Sequence, residues 1–304
     1  MAESNRPFIS IIIPTYERPE RLAVCLKSLG RLDYPCERYE VVVVDDGSRK
    51  PPETVVARFH ERFDVRLLTQ IHAGPATARN TGAAQAKGEV LAFTDDDCEP
   101  AAEWLQTLAK RFAATPNCAI GGRTLNGLPD NPFSSASQLL IDYLYQYYNR
   151  VPHRARFLAS NNLALPTDLF RAIEGFDTNF PYAAGEDREF CDRWLHHGYE
   201  MVYAPEVVVR HSHFLKFQTF CKQHFTYGRA ALYFHKVRAE RGQKRIKVEP
   251  LRFYLNLLRY PSLHLHPRKS ILVAMLLLIS QAVNTAGFFW SALPKPERRS
   301  VETG

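Results

Sequence analysis

Short apolar runs that end in polar or acidic clusters recur through the first hundred residues of the chain. Phe8–Ile13 is β-branched and stops at Pro14, Tyr39–Val44 stops at Asp45–Asp46–Gly47–Ser48, and Val90–Phe93 leads into Thr94–Asp95–Asp96–Asp97. Such runs, apolar on both faces, predict buried parallel strands, and Val65–Leu68 reads as another. Between them, Glu20–Leu29 sets Leu22, Cys25, Leu26 and Leu29 at helical spacing ahead of Gly30. Glu53–Phe63 also fits a helix, as does the alanine-rich stretch Pro75–Lys87. Strand and helix in alternation argue for a doubly wound α/β sheet. In such sheets ligands bind outside the carboxyl ends of the strands. Pro14, Thr15, Tyr16 and Glu17, then Asp45 and Asp46, then Asp95, Asp96 and Asp97 should therefore converge on one edge.

The second half is less regular. Helices are predicted over Ala102–Ala114, Ser135–Tyr148 and Glu186–His197, and a short strand over Val207–Val209 ends at His211–Ser212–His213. Phe217–Val237 mixes aromatic and basic residues at helical spacing, and Ser270–Trp290 is the most apolar stretch. Ile271–Ile279 is unbroken, and Ala282–Val283 and Ala286–Trp290 extend it to about 20 residues, enough to cross a bilayer core of ~30 Å. Gln281, Asn284 and Thr285 interrupt it. A membrane span, an interfacial helix and a helix packed on the rest of the protein all remain open. Arg268 and Lys269 before it and Lys295, Arg298 and Arg299 after it give no clear orientation.

Composition is that of a globular chain: 304 residues, 45% hydrophobic and 23% charged, which fits one large α/β domain with an appendage. A net charge of +7 admits nucleic acid, anionic lipid or a phosphorylated small molecule as partner. The acidic motifs precede Glu206, whereas many of the cationic residues follow Val209. This asymmetry predicts an acidic site in the first part and a basic, membrane-facing surface in the second. The scattered Cys25, Cys36, Cys98, Cys118, Cys191 and Cys221 form no CxxC pair, so reduced thiols in a cytosolic compartment are expected. The opening residues MAESNRPFIS lack a signal-peptide pattern, which places the bulk of the chain in the cytoplasm.

Two carboxylates at i and i+2 after a strand, Asp95 and Asp97, can share a hard divalent cation; the alternative is a solvated loop that caps the following helix. His211, and less directly His213, could complete such a site, since manganese accepts mixed oxygen and nitrogen ligands. Glu186 and Asp187 open a helix, where acids complement the helix dipole, yet a carboxylate there can also act as a general base. Arg79 in Ala76–Asn80, or the helix N-terminus beside it, is a candidate for phosphate contact. No Walker motif exists, and no GxGxxG opens a helix after the first strand.

Taken together, IIIPTYERPERLAVCLKSL (11–29), VVVVDDGS (41–48), GPATARNTGAAQAKGEVLAFTDDD (74–97), ASNNLALPTDLFRAIEGFD (159–177) and GEDREFCDRWLHHGYEMVYAPEVVVRH (185–211) resemble the family 2 glycosyltransferases of the GT-A fold. The resemblance covers roughly residues 8–213. It implies a GT-A catalytic domain over 1–215, with a nucleotide-binding half to about 100 and an acceptor half beyond. A basic aromatic helical extension (216–264) and an apolar segment (265–304) would follow. By resemblance Pro14, Thr15, Tyr16, Glu17, Asp45 and Asp46 form the nucleotide pocket, and Arg79 approaches the diphosphate or base. Asp97 holds the metal, Asp95 touches ribose or metal with Asp96 between them, and Asn161 and Asn162 line the sugar site. Asp187 becomes the base, with Glu186 beside it contacting the acceptor or supporting the site. The implied reaction is an inverting transfer of one sugar from a nucleotide-sugar, most often a UDP-sugar, with Mn²⁺ or Mg²⁺. A glycan or lipid-linked acceptor is expected, in polysaccharide or glycolipid assembly. The Q-x-x-R-W motif of processive synthases is absent; Gln223–Arg229 is the nearest stretch, so single transfer is favoured.

The basic-aromatic stretch Phe217–Lys247 fits an anionic membrane surface better than nucleic acid. Association with the inner face of the cell membrane, through the apolar segment, is the corresponding expectation. The helix around Tyr143, Tyr147 and Tyr148 either shapes an acceptor cleft or packs in a core. A metal-dependent sugar nucleotidyltransferase, or a non-catalytic sugar- or lipid-binding scaffold on the same fold, is the alternative reading.

Overall fold

The computed structural model describes residues 6–180, 184–242, 246 and 248–293. Lys295, Arg298 and Arg299, the end of the apolar segment and part of the basic stretch before Val248 lie outside the described residues. The apolar runs form four parallel strands, β1 (Ile9–Thr15), β2 (Tyr39–Asp45), β3 (Asp64–Thr69) and β4 (Val90–Phe93), in the spatial order β3-β2-β1-β4. Their alternation assigns the faces. Ile9, Ile11 and Ile13 pack with α1 (Pro19–Leu29), α2 (Glu53–Ala57) and α4 (Trp104–Ala114). Ile12, Val42 and Val44 face α3 (Pro75–Ala84), α6 (Thr167–Ala172) and α7 (Glu186–His196) on the other side. Each fully buried Ile or Val contributes roughly 1.5–3 kcal/mol before the entropy of ordering is counted.

Beyond β4 the sheet continues as β7 (Leu163–Pro166), β6 (Cys118–Asn126), β8 (Glu200–His211) and β5 (Cys98–Pro100). β7 runs antiparallel to both β4 and β6, so the eight-stranded sheet is mixed. β5 pairs antiparallel with β8, setting Cys98 opposite His211, and the Ser212 amide donates to the Asp97 carbonyl at 2.8 Å. That pairing carries the end of β8 to the triple-aspartate turn.

Several boundaries differ from the sequence expectation. The helix expected over Glu53–Phe63 ends at Ala57, because Phe59 and Phe63 are drawn into the core from turns. The strand expected at Val207–Val209 spans twelve residues, its first part obscured by Pro205. β6 was hidden by Gly121–Gly122. A Cβ on Gly122 would lie 2.1 Å from the Val207 carbonyl oxygen, at the point where β6 shifts register against β8.

The chain then leaves the sheet. α5 (Pro132–Tyr148), capped by the Asn131 side chain on the Phe133 and Ser134 amides, packs with α8 (Phe217–Glu240), α9 (Leu251–His264) and α10 (Pro267–Ala292) around a separate apolar cluster. α8 and α10 approach closely through glycine. A Cβ on Gly228 would sit 1.8 Å from the Asn284 carbonyl oxygen, and one on Gly287 would sit 2.1 Å from that of Phe225. Glu189 and Asp192 on α7 pair with Arg238 and Arg241, fastening α8 to α7.

Candidate active site

A cavity of about 850 Å³ opens at the carboxyl ends of β1, β2 and β4. Pro14, Thr15, Tyr16 and Asp46 contribute its first wall. Asp46 accepts from the Ala73 and Gly74 amides at 2.9 and 2.8 Å and from Gln70 Nε2 at 2.7 Å. This fixes the loop that carries His72, whose ring stacks on Tyr16 at 4.3 Å. The result is a half-exposed aromatic shelf at the sheet edge. Gly47 makes the approach possible: its φ is +80°, and a Cβ there would meet the His72 amide nitrogen at 2.7 Å. Asp45 is fully buried and caps the same turn through Ser48 Oγ at 2.5 Å, so it does not line the cavity. Glu17 also stays outside the lining. It takes a left-handed φ of 55°, accepts from the Arg49 amide and side chain, and donates its own amide to Ser48.

The three aspartates after β4 point three ways. Asp96 accepts from Thr15 Oγ1 at 2.8 Å and Arg18 Nη1 at 3.1 Å, tying β1 to β4. Burial, and then the Asp97 charge, raise its carboxyl to about 6 against the opposing charge of Arg18. Asp97 lies 3.0 Å from His211 Nε2 and 3.7 Å from His213 Nδ1, and Arg18 and Arg21 reach its Oδ2 at 3.2 and 3.0 Å. Burial alone would raise the Asp97 carboxyl, but hydrogen bonds from the two histidines and the neighbouring cations outweigh it and hold it far below the usual range. For His211 burial works against protonation, and the bond to Asp97 overcomes it, so its imidazole is shifted up. One ligand atom each from Asp97, His211 and His213 lies within 4.8 Å of the others, a spacing that fits a single cation. One carboxylate with two imidazoles suits manganese better than magnesium, which prefers oxygen.

Asp95 turns the other way, with Oδ1 2.8 Å from Arg79 Nη2, and it is not part of that cluster. Arg79, 4% exposed, places its other Nη 3.1 Å from Glu186 Oε1 and its guanidinium 5.7 Å from the Phe176 ring. The arginine expected to approach a diphosphate thus joins the aspartate turn to α7. A buried cation between two carboxylates is far more stable than any of the three alone. Glu186 Oε2 is buried with no hydrogen-bond partner among the described residues.

Asp187 lines the cavity as the second residue of α7, whose N-cap Gly185 takes a φ of +86°. Its Oδ1 accepts the Arg188 amide at 2.7 Å. Burial, then the Glu186 charge, raise its carboxyl to about 7, and Arg79 only partly opposes them. A carboxyl titrating near neutrality can accept a proton from a hydroxyl.

Of the two asparagines, Asn161 lines the cavity and is 3.3 Å from Thr124 Oγ1. Asn162 is buried and bonds Trp104 Nε1 and the Arg123 and Val207 carbonyls, so its side chain serves the fold. Arg18, Arg21 and the α8 face carrying Gln223, His224 and Tyr227 were not anticipated. Arg18 and Arg21, at i and i+3 directly after the Pro14–Glu17 turn, carried the signal that was available. Gln223 and Tyr227, at i and i+4, are joined by a 2.6 Å hydrogen bond. Tyr147 and Tyr148 both donate to Glu249, and Tyr143 is buried, so this helix combines packing with a cavity wall.

The profile of Glycosyl transferase family 2 matches residues 10–173, and that of Glycosyl transferase family group 2 matches residues 95–294. The glycosyltransferase AglE of Haloferax volcanii is 28% identical over 68% of this chain and 68% of its own length. Validoxylamine A glucosyltransferase of Streptomyces hygroscopicus subsp. jinggangensis is 29% identical over 67% of the chain. The pre-mycofactocin glycosyltransferase of Mycobacterium tuberculosis is 28% identical over 73%. The match spans only 55% and 46% of those two relatives. In structure, a mannosyltransferase from Pyrobaculum calidifontis, solved with GDP-Man and Mn²⁺, superposes with a TM-score of 0.61 at 20% identity, covering 95% of this chain and 84% of its own. S. aureus TarS in complex with UDP-GlcNAc gives a TM-score of 0.51 at 18% identity, over 92% of this chain and 89% of its own. The shared architecture is the GT-A fold. With more than half of its length matched, through the same turns that build the cavity, the protein belongs to glycosyl transferase family 2 and is a glycosyltransferase.

Proposed function

We propose that the protein moves a single sugar from a nucleoside-diphosphate sugar to an acceptor hydroxyl in one inverting displacement, with Asp187 as the base. The observation that carries this reading is one cavity holding both the Asp97–His211–His213 cluster and a carboxyl raised to about 7 at the start of α7. Family membership favours glycosyl over nucleotidyl transfer.

In this reading the Tyr16–His72 shelf stacks the nucleobase and Asp46 keeps that shelf in place. UDP is the first donor nucleotide to test. GDP is equally worth testing, because the Pyrobaculum mannosyltransferase was solved with GDP-Man. Asp97, His211 and His213 would hold Mn²⁺, which when bound supplies Lewis-acid charge to the diphosphate leaving group. Asp95 is available to a ribose hydroxyl on its exposed side, while Arg79 fixes it relative to α7. Asp187 accepts the acceptor proton as the hydroxyl attacks the anomeric carbon from the face opposite the leaving group. Glu186 is a positioning residue in this scheme, held by Arg79 and raising the proton affinity of Asp187. Residues 1–215 act as the catalytic domain, with α8 to α10 as its extension.

The acceptor is read as a glycan or lipid-linked molecule, met at a membrane surface. The most hydropathic window of α10 is 28% buried, and Ile271, Met275 and Leu278 stand exposed at helical spacing. Gln281 and Asn284 instead turn into the cavity wall, which accounts for the polar interruptions in the sequence. A helix packed along α5, α8 and α9 with one apolar face outward is suited to lying in an interface rather than crossing it. The stereochemical part is tested by proton NMR of the first product formed. An anomeric configuration opposite to that of the donor is expected, and retention would remove Asp187 from the role of base in a single displacement.

A further inference from the structure

The cavity does not stop at Asp187. It continues between α5, α8, α9 and α10, and beyond Tyr227 its lining changes character. Leu140 and Leu144 on α5, Ala231 and Phe234 on α8, Phe253 on α9 and Phe288 on α10 give this chamber apolar walls, interrupted by His235, Glu249, Gln281 and Asn284. A nucleotide-sugar, charged and hydroxylated, gains nothing from such walls. The chamber is bounded by α10, whose outer face exposes Ile271, Met275, Leu278 and Trp290. Arg252, Arg259, Arg268 and Lys269 stand exposed around the same two-helix unit, a charge suited to an anionic lipid surface.

A second observation concerns α8. His224 is 1% exposed, and its Nε2 has no hydrogen-bond partner among the described residues; the same holds for Gln223 Oε1. Both side chains border the cavity. A buried imidazole nitrogen or amide oxygen left without a partner costs about 1–3 kcal/mol, so both atoms are available to a polar group of a bound ligand. One cavity thus joins the carboxylates, the unpartnered Gln223 and His224 atoms and a set of apolar walls, and α10 carries an apolar face on its outer side.

We propose that this chamber holds the hydrocarbon chain of an amphiphilic acceptor, whose polar head meets Gln223 and His224 and whose hydroxyl reaches Asp187. The proposal rests on the reading of Asp187 as the base and deepens it: the acceptor class is a lipid rather than a free glycan. The chain enters from the α9–α10 face, so the same helices that meet the membrane also admit the substrate.

The test uses the full chain and hexyl, octyl and decyl β-D-glucoside as probes, each below its micelle concentration, with binding followed by calorimetry. Burial of the chain predicts about fourfold tighter binding per added methylene. Ala231→Trp fills the chamber and should flatten this dependence; Leu144→Phe serves the same purpose if the first variant melts early. Binding that does not change with chain length overturns the proposal. So does a chain-length dependence that survives in a folded chamber-filling variant, because the probes would then be sitting on the outer face of α10. Donor hydrolysis by the wild type with Mn²⁺ is measured in parallel. Its absence would count against the transferase reading while leaving the chain-length result intact, which keeps the two failures apart.

Discussion

Replacing Arg21 by glutamine removes one of the two guanidiniums that reach Asp97 Oδ2, at 3.0 Å for Arg21 and 3.2 Å for Arg18. Asp97 is buried, but the arginines are 36% and 45% exposed. At an effective dielectric near 20, a pair at this distance would be worth about 5 kcal/mol. Solvent around the exposed guanidinium and the entropy of holding it reduce that to about 0.5–1 kcal/mol. A divalent cation at Asp97, His211 and His213 must displace this contact and sit beside the remaining positive charge. R21Q should therefore bind Mn²⁺ about two- to sixfold more tightly in the absence of donor. The assay is the electron paramagnetic resonance signal of free Mn²⁺ across a titration, at low and at physiological salt; screening should shrink the difference between variant and wild type. With nucleotide-sugar present the order should reverse, because a guanidinium released from Asp97 can pair with the diphosphate. Equal or weaker Mn²⁺ binding by R21Q without donor would refute the competition between arginine and cation.

Three further outcomes follow from the same geometry. A base must be ionised to work, so kcat/KM should rise with pH and level off above about 7, and D187N should lose about 10²–10⁴-fold in turnover. The sign for stability is opposite: between 3.8 and about 7 the native state holds more protons than the unfolded chain, so the Asp187 contribution falls as pH rises. Above that window D187N should melt at the same temperature as the wild type or higher, by calorimetry. Gly228→Val drives a side chain into the Asn284 backbone and should cost about 1–3 kcal/mol or more, read as a lower Tm and faster proteolysis of α10. Ile271→Glu with Leu278→Glu, both on the exposed face, should abolish co-sedimentation with anionic vesicles without lowering Tm; unchanged sedimentation would remove α10 as the membrane contact.

The parallel half of the sheet was legible because four apolar runs stop at turn residues, and the converging strand ends followed from topology alone. The antiparallel half was not. Its strands carry Gly121–Gly122, Pro166 and Pro205, residues that read locally as breaks, and the two glycines make sense only against Leu158 and the Val207 carbonyl. The acidic cluster was visible, but its division of labour was not. Which of three adjacent aspartates faces His211, Thr15 or Arg79 depends on the pairing of β5 with β8 and on partners up to 114 residues away. Favouring His211 over His213 was a reading of strand proximity, and the fold brings both to Asp97. Arg18 and Arg21 were not anticipated, because their i and i+3 spacing alone does not say which carboxylate lies across the sheet edge. The polar breaks in α10 weakened the membrane reading in sequence and are explained by the cavity they line.

The central claim is most directly tested by nucleoside-diphosphate release from a panel of nucleotide-sugars, UDP- and GDP-linked donors included, with Mn²⁺, with Mg²⁺ and with chelator. Wild type and D187N are compared in each condition. Release from at least one donor is expected to be abolished by the chelator, faster with Mn²⁺ than with Mg²⁺, and severely reduced in D187N despite retained donor binding. Release that ignores the chelator, undiminished release by D187N, or no release from any donor would contradict it.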